Sequence, residues 1–229
     1  SDADEKKIKE VTNHYTITLS QHEAGFVSHV QEEIIYVDID KRIYQLMDIL
    51  KKNKVYKTKN GDDLVADTPV KMQNMFHQLS SGTIIGENKT HVFDESKAYF
   101  IKSKFAGQKI AIYYKFVAEG EILRRIFPLY TDNPEVFNTH DNVTFIRQVV
   151  SGRMGINLST ADALVMYTID FSATTYFQVK GRMQEQGRTK ASKIYWIFSK
   201  DGIEKYIYDA VCRKKNFTLQ YFQKVYGIK

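Results

Sequence analysis

The chain has 229 residues, 43% of them apolar, which suits one large domain with its own core and excludes a disordered composition. Its longest apolar runs, such as "ALVMYTI" (163–169), are too short to span a bilayer, the opening "SDADEKKIKE" lacks a signal-peptide pattern, and the single cysteine, Cys212, excludes an internal disulfide and a Cys-based metal cluster. Net charge is +6, yet Lys180 to Lys229 carries twelve basic residues against four acidic ones, so the basic character gathers at the C-terminal end. A cytoplasmic setting, no membrane and a polyanionic partner are the expectations, against the plainer reading of a solvated basic face.

Along the chain, "EEIIYVDID" (32–40) reads as a strand or an extended lead-in. "KRIYQLMDILKK" follows, with Ile43, Leu46, Met47 and Leu50 at the i, i+3, i+4, i+7 spacing of an amphipathic helix. "KNGDD" (59–63) is a turn, and "VKMQNMFHQL" (70–79) is a helix with Gly82 as its stop. "DESKAYFIKSKF" (94–105) begins a helix at Asp94 and ends it near Gly107. The pattern then changes. The strands "KIAIYY" (109–114), "VTFIRQ" (143–148), "ALVMYTI" and "KIYWIF" (193–198) alternate with the helices "AEGEILRRIF" (118–127), "TTYFQVKGRMQEQ" (174–186) and "IEKYIYDAVCRK" (203–214). Continuous apolar strands alternating with helices predict an α/β fold, a mainly parallel sheet covered on both faces. Ligands of such sheets bind beyond the carboxyl ends of the strands.

Several chemistries are poorly supported. There is no Walker A phosphate loop and no G-x-G-x-x-G turn. "FDES" (93–96) has only a short strand before it, so Asp94 is a helix N-cap rather than a magnesium acid. No His pair has metal spacing, and His77, alone on its helix, is read as structural. Two stretches remain: "SGRMGINLSTAD" (151–162) and "QVKGRMQEQGR" (178–188), separated by one buried strand. The first offers glycines for close backbone approach and the short polar groups of Asn157, Ser159 and Asp162. The second sets Gln178 and Arg182 at i, i+4, where the guanidinium can meet a phosphate as a charge-assisted fork. Taken singly, each could be a tight turn or a surface helix.

Together these stretches resemble the second RecA-like domain of a superfamily-two helicase, Swi/Snf-like, with a flavour of the phage and restriction-system relatives. "KIAIYYKFVAEGEIL" is similar to motif IV, and "SGRMGINLSTAD" to motif V, G-G-x-G-[LI]-[ND]-L-[ST]-x-A-[DN]. "DFSATTYFQVKGRMQEQGR" is similar to the run into motif VI, Q-x-x-x-R-x-x-R-x-G-[QR], and "GIEKYIYDAV" to the phrase that follows it. The resemblance is specific over 107–211, looser over 32–106 and absent over 1–31. It implies a lead-in at 1–31, a helical and linker portion at 32–106 entering the domain, and a RecA-like core at 107–229.

The resemblance also implies a function: the C-terminal motor half of an ATP-dependent helicase or translocase on nucleic acid, with DNA favoured. ATP would lie in a cleft shared with a first RecA-like domain of the same polypeptide, which brings the phosphate loop and holds Mg2+. No metal site is implied within this chain. Gly155, Asn157, Gln178 and Arg182 would meet the nucleotide, while Gly152, Arg153 and Ser159 would lie toward the nucleic acid. Arg182 and Arg188 would be the catalytic arginines, stabilising charge on the transferring phosphoryl group. Glu185 departs from the pattern by standing where the family has its second arginine. Arg188 can replace that finger only if the chain bends at Gly187, because an uninterrupted helix would point it about 120° from Arg182. A non-catalytic nucleic-acid module with a decayed site is the alternative. A nucleotide or methyl transferase would need a glycine-rich cofactor loop that this sequence lacks. The fragment alone is expected to be inactive.

Overall fold

A computed structural model describes residues 30–149, 156–158, 160–181 and 192–228. It opens with β1 (Val30–Val37), α1 (Lys41–Asn53) and the hairpin of β2 (Val55–Lys57) and β3 (Asp63–Val65). Next come α2 (Pro69–Leu79), a second hairpin of β4 (Thr83–Ile85) and β5 (Thr90–Val92), and α3 (Ser96–Lys104). Then follow β6 (Ile110–Tyr114), α4 (Val117–Ile126), β7 (Tyr130–Thr131), α5 (Pro134–Thr139), β8 (Thr144–Gln148) and β9 (Ala163–Met166). The described part closes with α6 (Ala173–Gly181), β10 (Ser192–Ser199), α7 (Glu204–Val211) and α8 (Leu219–Tyr226).

Six strands form one all-parallel sheet in the order β1-β10-β9-β6-β8-β7. Both faces are covered, which is why β6 and β9 are buried at every position and carry no polar alternation. One face packs Ala111, Tyr113, Phe145, Leu164 and Trp196 against α1, α2 and α6 to α8. The other packs Ile110, Ile112, Ile146 and Val165 against α3 and α4. β1, from the segment expected to lead into the domain, is a strand of this same sheet, paired with β10 from Val30 opposite Ser192 to Val37 opposite Ser199.

The helices form where their sequences allow. In α1 the expected stripe Ile43, Leu46, Met47 and Leu50 is buried, Asp40 accepts from the Arg42 N–H, and Lys54 ends the helix in the left-handed region at φ 66°. α2 carries Pro69 in its first turn behind the Thr68 cap. Asp94 is not the N-cap expected of it: α3 begins at Ser96 with Glu95 as its cap position, and Asp94, one residue earlier, accepts from the backbone N–H groups of Ser96 and Asp40. Gly82 sits at φ 81° with an added Cβ only 2.1 Å from the Asp94 carbonyl oxygen, so no other residue fits that turn.

Two buried acid–base pairs stitch the fold, one within the first third of the chain and one between distant segments. Asp62 receives His91 Nε2 at 2.6 Å and both the N–H and the side-chain amide of Asn88, locking the two hairpins together. The His91 hydrogen bond holds the Asp62 carboxyl down at about 2, against the opposing cost of burial. A depressed carboxyl contributes stability above its unfolded value and loses it as pH falls through its folded one. Thermal denaturation should therefore show an acid limb between about pH 4 and pH 2. Asp62→Asn should flatten that limb; an unaltered limb would contradict this assignment. The second pair, Lys97 with Glu204, joins α3 to α7, with side chains 1% and 0% exposed.

Candidate nucleotide and nucleic-acid site

The carboxyl ends of β6, β8 and β9 meet in a polar cluster. Glu119, in the first turn of α4, reaches back to accept the N–H groups of Lys115 and Phe116, both at 2.9 Å. This is half of a capping box, and it fixes the loop leaving β6. The other Glu119 oxygen accepts the Thr168 hydroxyl at 2.6 Å, and Thr168 in turn lies 3.1 Å from the Ser81 hydroxyl. Burial raises the Glu119 carboxyl above its ordinary value, although its donors pull the other way.

Lys115, so fixed, pairs with Asp170 at 2.8 Å, and its ammonium lies 4.6 Å from the Phe171 ring centre. Gln148, the last residue of β8, donates to the Lys115 carbonyl at 2.8 Å. Asp170 accepts the Ser172 N–H at 2.9 Å, which shapes the turn into α6. His77 lies beneath this edge, stacked 4.5 Å from Phe171. Its burial, then the ammonium groups of Lys115 and Lys97, push its pKa well down, so the ring is neutral and packs as an aromatic. Among the described residues no three His, Cys, Asp or Glu side chains gather as metal ligands, and no helix is long and apolar enough to cross a membrane.

α6 is held firmly at both ends of its buried face. Glu32 on β1 accepts the Tyr176 hydroxyl at 2.9 Å and the Trp196 indole N–H at 3.0 Å, and it pairs with Lys180. The Asn216 side-chain oxygen accepts the Ala173 N–H at 2.9 Å, anchoring the start of the helix. Beyond β10, the loop at Gly202 lies so close to Ser199 and Glu204 that an added Cβ would stand 1.9 Å from the Ser199 hydroxyl.

Of the residues expected at the nucleotide or the nucleic acid two are described, while Asp162, also offered by the first loop, spends a carboxylate oxygen on the Lys109 N–H at 2.9 Å. Gln178 is exposed on α6, where it lines an open depression of about 470 Å³ with Ala173, Thr174, Phe177 and Lys214. Asn157 is exposed near α5, its carbonyl accepting from the Asn138 amide at 3.1 Å. The two therefore stand on different elements. Gly152, Arg153, Gly155, Ser159, Arg182, Glu185 and Arg188 lie outside the described residues. Sequence reasoning missed Glu119, Lys115 and Gln148, and it missed that Asp170, in the turn "DFSA" expected at this edge, pairs with Lys115. The signal was present: a lysine directly after a wholly apolar strand, with a glutamate four residues on, marks a capped turn at a sheet's ligand-bearing edge.

Comparison with known proteins follows the same lines. The helicase SWR1 of Candida glabrata is 32% identical over 102 residues, which is 40% of this chain and 7% of that protein. The chromatin-remodeling ATPase INO80 of Candida albicans is 27% identical over 95 residues, 42% of this chain and 6% of that one. This chain resembles Swi/Snf-like helicases. A chromodomain-helicase-DNA-binding protein 1-like of Danio rerio is 29% identical over 82 residues, 36% of this chain and 8% of that one. The chain thus spans under a tenth of the length of these relatives. No family model matches it. A crystal structure of the C-terminal part of the Fun30 ATPase domain superposes with a TM-score of 0.62 at 13% identity, covering 88% of this chain and 96% of that one. The fold is accordingly RecA-like, a six-stranded parallel sheet flanked by helices as in the C-terminal part of the Fun30 ATPase domain. The phage or restriction-system flavour finds no support among these relatives, and nothing in them bears on a cytoplasmic setting.

Proposed function

We propose that this chain is the C-terminal motor half of an ATP-driven helicase or translocase whose track is DNA. What carries the reading is order: the motif V-like stretch follows β8 directly, and the motif VI-like stretch begins on α6, after the next strand of a RecA-like sheet. ATP binds in a cleft completed by a first RecA-like domain of the same polypeptide. Gly155, Asn157, Gln178 and Arg182 contact the nucleotide from this side. The exposed Gln178 amide suits a nucleotide edge or a phosphate, being both donor and acceptor. Mg2+ is held by acids of the first half. Gly152, Arg153 and Ser159 face the track and couple it to the nucleotide.

Arg182 and Arg188 supply the charge that the phosphoryl group demands as it transfers, when positioning and electrostatic stabilisation do nearly all the work. Neither a phosphate loop nor the magnesium acids occur in this sequence. The isolated chain should therefore hydrolyse no ATP above background, with or without DNA, in a phosphate-release assay. DNA-stimulated turnover that its own substitutions abolish would overturn the reading. A second reading, a DNA-binding module with a decayed ATP site, is favoured by one observation, the carboxylate of Glu185 in place of the second arginine.

A further inference from the structure

The turn after α7 carries Arg213, Lys214 and Lys215 in succession, all three exposed and none in an ion pair with a described acid. It is a built turn. The N–H groups of Arg213 and Lys215 both donate to the Ala210 carbonyl at 3.2 Å, and that of Lys214 donates to Val211 at 3.0 Å. Lys214 takes the left-handed conformation at φ 60°, which turns successive side chains in different directions. The next two residues hold the turn against the sheet's carboxyl edge. Asn216 receives the first N–H of α6, and the Phe217 N–H donates to the Phe171 carbonyl at 2.9 Å, its ring 5.6 Å from that of Phe171. Phe171 is the same residue whose ring lies under the Lys115 ammonium. The three cations therefore stand on the edge that carries the Lys115 and Gln148 cluster.

Beside them lies the open depression of Thr174, Phe177, Gln178 and Lys214, with no carboxylate among the described residues that line it. Of the described acids nearest along the chain, Asp209 is already taken by Lys205 and Asp170 by Lys115. We propose that the Arg213–Lys215 turn, with Thr174 beside Lys214, binds the phosphate backbone of DNA, extending the track beyond the motif-bearing loops. Fanned cations on an open surface match a repeated phosphodiester, whereas a single nucleotide is usually held in an enclosing pocket. The neutral Thr174 hydroxyl supplies a donor to phosphate without adding repulsion. The proposal rests on the nucleic-acid part of the function proposed above and is independent of its ATP chemistry.

The test is a fluorescence-anisotropy titration of a short DNA duplex with the 229-residue chain over a range of salt concentrations. The variant is Arg213→Gln/Lys214→Gln/Lys215→Gln. The control is Lys51→Gln/Lys52→Gln/Lys54→Gln, which removes equal charge from another exposed cluster that also includes a left-handed lysine, Lys54 at φ 66°. Each lost phosphate contact lowers the salt slope by about 0.9. The turn variant should lose about 2 to 3 from that slope and bind roughly tenfold or more weakly at low salt. The control should keep the parent slope, and both should melt as the parent does. An unchanged slope in the turn variant overturns the proposal whatever happens to nucleotide affinity. An equal loss in both variants also overturns it, since charge anywhere would then suffice. If the parent binds no duplex even at low salt, the nucleic-acid reading fails as a whole and this one with it.

Discussion

Arg182→Ala, placed in a polypeptide that also carries the first motor half, should lower ATP turnover by on the order of 10³ while DNA binding stays near that of the parent. The asymmetry has a physical cause. The guanidinium is needed mainly when the γ-phosphoryl group develops charge, so its loss raises the barrier more than it weakens the ground state. Along the track, by contrast, many phosphate contacts share the binding, and removing one costs only a fraction of it. Arg188→Ala discriminates further. If Arg188 replaces the finger displaced by Glu185, its loss should match that of Arg182; if it adds only surface charge, turnover should stay within a few-fold of the parent. Glu185→Arg completes the set. A gain in turnover marks a weakened natural site, and no gain beside an inactive Arg188→Ala marks a relocated finger. If all three leave turnover unchanged, the motif VI assignment is wrong.

The largest effect on stability should come from the Lys97–Glu204 pair. Both side chains are out of water, and Glu204 also accepts the Ser199 hydroxyl at 2.8 Å. Removing one partner leaves an uncompensated buried charge, at a cost of roughly 3–5 kcal/mol. Lys97→Met should accordingly lower the melting temperature by about 6–20 °C. The double variant Lys97→Met/Glu204→Leu should recover most of that, because an apolar pair of similar volume carries no desolvation penalty. A single variant that melts within a degree or two of the parent would contradict the burial described here. Since the pair links α3 to the start of α7, its loss should loosen the edge on which the candidate site lies.

The sheet was readable from the chain wherever burial on both faces leaves a continuous apolar run, as in Ile110–Tyr114 and Ala163–Met166. α1 was readable for a different reason, its 3.6-residue period. Less legible were the two hairpins, whose strands of three residues are too short to show any period. α5 went unread although Asn133 followed by Pro134 is a strong helix start, and α8 went unread behind its Thr218 cap. The pairing of β1 with β10 spans most of the chain and leaves no local trace. Lys97 and Glu204 are likewise 107 positions apart, so nothing near either residue announces that both are buried. In the candidate site the motif spacing was legible through resemblance. Lys115 and Asp170 were not, because a single lysine and a single aspartate become a pair only when β6 and β9 lie side by side.

One measurement bears most directly on the claim that this chain completes an ATP site. In the polypeptide that carries both motor halves, the affinities for ADP and for ADP with aluminium fluoride, a mimic of the transferring phosphoryl group, are compared between the parent and Arg182→Ala. Transition-state mimics bind about 10² or more tighter than ground-state ligands when the site is built for the transition state. The account predicts that the parent shows this gain and that Arg182→Ala loses most of it, with ADP affinity little changed. An equal gain in both proteins would place the phosphoryl-stabilising charge elsewhere and contradict the account.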